Sequence, residues 1–278
     1  MRVTIADIGG IKTRYYHAGS GPPLLLLHGL AATADTFLCN IDALAEKFTV
    51  IAPDLIGRGL TDPVDLEGGP SQPKETAHLL ALADHLGLER LSVVGGSYGG
   101  LAGMLLYLAR PALVDRMVIV ASGSGFNTEE QQVRMLADIE VHATERFGPG
   151  LDVEDSRSRF ARIVHDPACL PEPMLYVIAN LNAQPRTADF YRKMMNGMKD
   201  MDRVRPWRVI DRFAEIDLPV LIINGREDFL SSWERSEEVS RLLPDARLEV
   251  WENCGHLPYV EYPERFNATV AAFCLGGR

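Results

Sequence analysis

Short, mostly apolar runs separated by helix-spaced segments constrain this chain more than any other feature. Leu24–Leu27, Leu91-Ser92-Val93-Val94-Gly95, Arg116–Ala121 and Leu218–Ile223 lack the strict polar alternation of a strand with one wet face, so both faces of these strands should be covered. The N-terminal third reads as strand Val3–Ile8, strand Lys12–Ala18, strand Leu24–His28, a helix near Ala34–Lys47 and strand Phe48–Pro53. A Pro- and Gly-rich loop from Asp54 to Pro73 precedes a helix over Lys74–Leu88, where Ala77, Leu80, Ala81, Leu82 and Leu86 have helix-like spacing closed by Gly87. Tyr98–Arg110 reads as a helix stopped at Pro111, Ser232–Leu243 as another, Arg247–Trp251 as a strand and Pro263–Cys274 as the closing helix. Strands alternating with helices in this way predict the α/β class, with a mostly parallel, doubly wound sheet.

The alternation stops at Ser122 and resumes at Leu218, an interval of about 95 residues, too long for a structureless loop in a compact domain. Its patterns are helical over Gln131–Phe147, Ser156–Val164, Glu172–Leu181 and Thr187–Lys199, with breaks at Gly148-Pro149-Gly150, Asp166-Pro167 and Gln184-Pro185. The expected organisation is a core of residues 1–121 and 215–278, with a helical lid over 122–214 inserted after the sixth strand.

Composition excludes several classes of function. With 28 basic and 38 acidic residues the net charge is −10, a field that repels phosphate backbones and anionic lipid, so neither nucleic acid nor membrane is an expected partner. No apolar run approaches the roughly 18 residues of a membrane span, and Met1–Asp7 lacks the pattern of a secretory signal, which makes the cytoplasm the expected location. Cys39, Cys169, Cys254 and Cys274 form no C-x-x-C pair and are expected to be buried thiols, with no metal site.

Gly95-Gly96-Ser97-Tyr98-Gly99 fits G-x-S-x-G between an apolar strand and a helix, the context in which a serine hydroxyl stands exposed on a sharp turn. A glycine-rich helix start capped by serine would use the same letters. A neutral hydroxyl is a poor nucleophile, so a base and an acid orienting it are needed where later strands end. Asp228 follows the strand ending at Asn224, and His256 follows the strand ending at Trp251. Asp54 and Glu227 are the other carboxylates that could orient the histidine. His28-Gly29-Leu30 closes the third strand with a bend that aims the Leu30 amide; with the Tyr98 amide it forms the expected oxyanion hole, while the His28 ring is expected to satisfy loop backbone.

These residues, His28-Gly29, Asp54-Leu55-Ile56-Gly57-Arg58-Gly59, Gly95 to Gly100, Gly225 to Asp228 and Gly255-His256, resemble the α/β-hydrolase superfamily, whose order of Ser, Asp, His they follow. The resemblance implies Ser97 as nucleophile, His256 as general base and Asp228 as its acid, with no cofactor. Asp166–Leu175, Cys254-Gly255-His256, Glu261 and Phe266-Asn267 are further similar to the meta-cleavage product hydrolases, which cut a carbon–carbon bond in vinylogous diketone acids. This chain departs from that pattern with Gly96 where asparagine is usual, Leu257 where tryptophan is usual, and Tyr176–Ala179 where a carboxylate-binding lid arginine is expected.

Without that arginine the lid offers apolar and aromatic side chains, and Phe126, Tyr176, Tyr191, Met194 and Leu257 are the candidate substrate-pocket residues. Arg186, Arg192 and Lys193 read as a solvated basic face. The expected activity is serine-dependent hydrolysis of a carboxylic ester or lactone of a fairly hydrophobic small molecule. Carbon–carbon hydrolysis of a meta-cleavage-type substrate is the alternative, and a non-catalytic ligand-binding protein on the same fold the remote one. The expected partner is a small-molecule substrate, with homo-oligomerisation left open.

Overall fold

The computed structural model describes residues 1–141 and 148–276. Eight strands form one sheet in the order β1-β2-β4-β3-β5-β6-β7-β8. They are β1 (Arg2–Ile8), β2 (Ile11–Ala18), β3 (Pro23–Leu27), β4 (Thr49–Pro53), β5 (Leu91–Gly96), β6 (Val114–Val120), β7 (Val220–Gly225) and β8 (Ala246–Trp251). β1 with β2 and β2 with β4 run antiparallel; every later pairing is parallel.

The period of two along the central strands sorts their side chains onto two faces. Leu25, Leu27, Val93, Met117, Ile119, Val220 and Ile222 enter one apolar cluster, whereas Leu24, Leu26, Val94, Val118, Val120, Leu221 and Ile223 enter the other. Both sets are buried, which is why these strands show no polar alternation. On the first face lie α2 (Gln72–His85) and α3 (Tyr98–Ala109); on the second, α1 (Leu38–Ala45), preceded by a tight turn over Ala34–Phe37.

Between β6 and β7 every element among the described residues is helical: α4 (Gly123–Phe126), α5 (Glu129–Val141), α6 (Val153–Ala161), α7 (Glu172–Asn182), α8 (Pro185–Lys199) and α9 (Met201–Val204), followed by tight turns through Glu215. The expected helix over Gln131–Phe147 thus starts two residues earlier, and its residues 142–147 lie outside those described. α10 (Trp233–Ser240), α11 (Pro258–Glu261) and α12 (Pro263–Cys274) complete the chain, α12 packing on the α1 side. The insertion straddles the sheet: Phe190, Tyr191, Met194 and Met198 of α8 join the α2–α3 cluster, and Phe160, Met174, Leu175 and Ile178 of α6 and α7 join the α1–α12 cluster.

The inner face of α2 runs through Glu75, His78, Leu79 and Leu82, with Ala77 exposed, because Glu75 and His78 find buried partners in Arg58 and Thr13. One expectation is corrected. Of the four cysteines Cys254 is buried, Cys169 and Cys274 are half-buried and Cys39 is exposed on α1, where it points away from the apolar positions Ile41 and Leu44.

Candidate active site

Ser97 lies between β5 and α3 with φ 52° and ψ −117°, a conformation that costs a non-glycine residue about 1–3 kcal/mol and has to be imposed by its surroundings. They do impose it: Ser97 N–H donates to Val120 O at 2.7 Å, and Ser97 O accepts from Ser122 Oγ at 2.7 Å and from Gly100 N–H at 3.0 Å. The turn also needs bare backbone. A Cβ on Gly99 would stand 2.0 Å from Leu27 O, and one on Gly95 2.3 Å from Gly99 O. This close approach sets the end of β3 directly against the serine turn, where the Gly29 Cβ position is 3.4 Å from Ser97 Cβ. The expected oxyanion loop therefore adjoins the expected nucleophile, and Tyr98 is the first residue of α3, where a helix leaves its N–H groups without intrahelical partners.

The β7 and β8 loops are joined to each other. Arg226 N–H donates to Trp251 O at 2.9 Å, Glu227 N–H to Cys254 O at 3.0 Å, and Cys254 N–H to Glu227 Oε2 at 2.8 Å. This brings His256 Nδ1 to 2.8 Å from Asp228 Oδ2, with both residues buried. Asp228 Oδ1 accepts from Leu230 N–H at 2.9 Å and Ser231 N–H at 3.2 Å, so its two oxygens have separate tasks. Buried Asn224 supports the turn from below, its amide donating to Ser231 O at 2.9 Å while its carbonyl accepts from Ser236 Oγ at 2.8 Å. Burial disfavours the charged imidazolium of His256, but the charge and hydrogen bond of Asp228, with a contribution from Glu261, outweigh it and raise the pKa above its ordinary 6.5.

The other two carboxylates are engaged elsewhere. Asp54 accepts from Arg14, Ala34 N–H and Leu60 N–H, ordering its loop, and Glu227 accepts from Cys254 N–H. His28 is structural: Leu55 N–H donates to Nε2 at 2.9 Å, which leaves the proton on Nδ1 to donate to Gly29 O at 2.8 Å. Burial, then the nearby Arg58 charge, push its pKa down to about 3, so the ring is neutral.

Of the pocket candidates, Phe126, Tyr191 and Met194 are buried in one cluster with Leu101 and Tyr98, Phe126 meeting Phe213 edge-on at 6.1 Å. Leu257 is buried in the other cluster, and Tyr176 is exposed on α7. Where a lid arginine is expected, Ile178 is fully buried among apolar neighbours. Arg186 pairs with Asp62 at 3.2 Å, and Arg192 and Lys193 both pair with Asp189.

Sequence reasoning missed the charged residues beneath the site. Arg58 is buried, donates to Glu75 Oε2 at 2.7 Å, Ile56 O at 3.0 Å and Leu30 O at 3.3 Å, and lies 5.1 Å above the Tyr98 ring. The available signals were an arginine between two glycines and a glutamate on the inner face of α2.

Residues 22–263 match the family model described as the alpha/beta hydrolase fold. The chain belongs to the α/β-hydrolase fold family. It is 26% identical over 279 residues to a 2-hydroxy-6-oxo-6-(2'-aminophenyl)hexa-2,4-dienoic acid hydrolase of Metapseudomonas resinovorans, a match covering 95% of this chain and 88% of that protein. The crystallised meta-cleavage product hydrolase CumD of Pseudomonas fluorescens IP01 superposes with a TM-score of 0.77 at 25% identity, covering 97% of this chain and 96% of that one. Est816, described as an N-acyl homoserine lactone degrading enzyme, shares the fold with a TM-score of 0.73 at 24% identity over 98% of this chain and 100% of its own. In this α/β-hydrolase, as in its family, the sheet is mostly parallel and flanked by helices.

Proposed function

We propose that this α/β-hydrolase is a serine hydrolase that cleaves a carboxylic ester or lactone of a fairly hydrophobic small molecule through an acyl-enzyme. One observation carries the reading: a serine forced to φ 52° at the β5 elbow, on a sheet whose β7 and β8 loops hold a buried histidine–aspartate pair at 2.8 Å. With His256 Nδ1 engaged by Asp228, Nε2 is the nitrogen left to take the Ser97 proton as Oγ adds to the carbonyl carbon. The Leu30 and Tyr98 amides receive the developing oxyanion, and His256 returns the proton to the departing alkoxide. Water, activated by the same histidine, then releases the acid.

A hydrophobic substrate suits the apolar side chains Phe126, Tyr191 and Met194, which are buried in the same cluster as Leu30 and Tyr98. Carbon–carbon hydrolysis is the second reading, favoured by full-length likeness to two such enzymes at 25–26% identity. The absence of an arginine over Tyr176–Ala179 favours the ester. The deciding experiment compares kcat/KM for p-nitrophenyl butyrate and for a coloured 2-hydroxy-6-oxo-dienoate, each with Ser97→Ala as control. Ser97-dependent ester cleavage with a stable dienoate supports the first reading. Rapid bleaching of the dienoate with weak ester cleavage replaces it by the second, and ester turnover that survives Ser97→Ala overturns the assignment of the site.

A further inference from the structure

Three consecutive carbonyls of the loop after β3 are each taken by a side-chain donor. Gly29 O accepts from His28 Nδ1 at 2.8 Å, Leu30 O from Arg58 Nε at 3.3 Å, and Ala31 O from Arg159 Nη1 at 2.8 Å. In a planar trans peptide the carbonyl of one residue and the N–H of the next point in opposite directions. Fixing Gly29 O therefore fixes the Leu30 N–H, and fixing the next two carbonyls keeps the flanking peptides from rotating away. His28 and Arg58 belong to the core. Arg159 stands on α6 of the insertion, buried, 128 positions along the chain, with its guanidinium 4.5 Å above the Phe160 ring.

The same stretch of chain also holds the histidine loop. Four residues after Arg159, Ile163 O accepts His256 N–H at 2.7 Å. Two residues further, His165 N–H donates to Glu261 Oε2 at 2.7 Å, and that carboxylate also accepts Gly255 N–H at 2.9 Å and Leu257 N–H at 3.1 Å. One segment of the insertion, Arg159 to His165, thus bonds to backbone on both sides of the expected reaction centre.

We propose that Arg159 is a positioning residue through which the docked insertion sets the direction of the Leu30 amide, so that docking governs transition-state stabilisation and does more than cover the substrate. The inference rests on the reading of Ser97, His256 and the Leu30 amide given above. Arg159 acts through Ala31 O on a group that gains its interaction only as charge develops on the carbonyl oxygen. Its loss should therefore appear in kcat and leave ground-state binding in place.

The test uses the full-length protein and an ester that it cleaves, together with the trifluoromethyl ketone and the methyl ketone of the same acyl chain. The trifluoromethyl ketone accepts Ser97 Oγ at its carbonyl carbon, the serine proton passing to His256, and forms a hemiketal oxyanion; the methyl ketone reports ground-state binding. For Arg159→Met the expected result is a loss in kcat on the order of 10- to 100-fold with KM within about 2-fold. The trifluoromethyl ketone should weaken by the same factor and the methyl ketone should not. Should that variant fail to fold, Arg159→Gln, whose head is too short to reach Ala31, carries the same comparison. Unchanged kcat and inhibition overturn the proposal, and so does equal weakening of both ketones, which would make Arg159 a substrate-binding or merely structural residue. The controls separate this from failure of the underlying reading: turnover that persists in Ser97→Ala sinks that reading, whereas Ser97-dependent turnover indifferent to Arg159 sinks only the inference.

Discussion

At Ser97, the strained backbone is held by one hydrogen bond from β6, one from the turn that follows it and one from Gly100 of α3, and the proposed base, His256, lies in the loop after β8. Ser97→Ala and His256→Ala should each lower kcat by about 10⁴-fold or more, and Asp228→Asn by a comparable factor, since it leaves the imidazole without its orienting acceptor. Stopped assays on variants with unchanged circular dichroism check this, and wild-type activity in Asp228→Asn would remove Asp228 from the mechanism. The pH profile follows from the same pair. His256 must be neutral to act as base, and Asp228 raises its pKa above 6.5, so kcat/KM should fall as pH drops through a midpoint above 6.5. In Asp228→Asn the charge that opposes desolvation is gone, so the midpoint of the residual activity should move down; an unmoved acid limb would assign it to another group. At this scale the sequence was informative wherever chemistry is encoded locally, as in the glycines around Ser97, where an added Cβ would fall 2.0–2.3 Å from a backbone oxygen. It was silent on Arg159 and Asn224, whose roles depend on partners that the chain meets only after folding.

Among the elements, α8 joins the insertion to the loop that follows β4. Phe190 covers Gly57, Arg186 donates to Gly59 O at 3.2 Å, Met194 Sδ accepts from Arg58 at 2.9 Å, and Gly197 lies against the backbone of Gly69 and Pro70. A Cβ on Gly197 would stand 2.0 Å from Gly69 O, so α8 and the loop meet without side chains between them. Alanine inside a helix ordinarily gains about 1 kcal/mol over glycine. Here the clash should win: Gly197→Ala is expected to lose about 1–3 kcal/mol, read as a lower urea midpoint, with faster proteolysis confined to the insertion. A stabilised variant would show that α8 can shift without cost. The central strands and long helices were legible because period and length suffice for them, whereas α4, α9 and α11, one turn each, are too short to display a helical period. The polar members of the buried face of α2 were not legible for a related reason. Periodicity counts apolar residues, and Glu75 and His78 are inside because of hydrogen bonds.

Across the whole molecule, one buried cluster ties the antiparallel edge of the sheet to the loops that frame the site. Arg14 on β2 donates through Nε and Nη2 to both oxygens of Asp54 at 2.5 and 2.7 Å, and through Nη1 and Nη2 to both oxygens of Asp35 at 3.2 and 2.5 Å. Thr33 and Tyr16 complete Asp35, and Asp54 reaches Ala34 N–H and Leu60 N–H, so the cluster joins β2, the turn before α1 and the loop after β4. The net worth of such a cluster is small, because desolvation of its charges offsets their attraction, but removing one partner leaves charge buried and unpaired. Arg14→Met should therefore cost about 3–5 kcal/mol, a large share of the roughly 5–15 kcal/mol that holds a domain folded. The sign of the pH dependence distinguishes this from lost packing. Burial raises the pKa of Asp35, but the bond and charge of Arg14, with Thr33 and Tyr16, outweigh it and hold it below the ordinary 3.8. A depressed carboxylate contributes stability that is present above 3.8 and is lost as pH falls through the lower folded value. In Arg14→Met the desolvation remains without the cation, the buried carboxylates prefer to be protonated, and their penalty shrinks as pH falls from 7 toward 4. Urea midpoints of the two proteins should thus converge on acidification, and Asp35→Asn with Asp54→Asn in the Arg14→Met background should recover much of the loss at pH 7. A gap that stays constant across this range would mean that Arg14 contributes through its shape and packing alone.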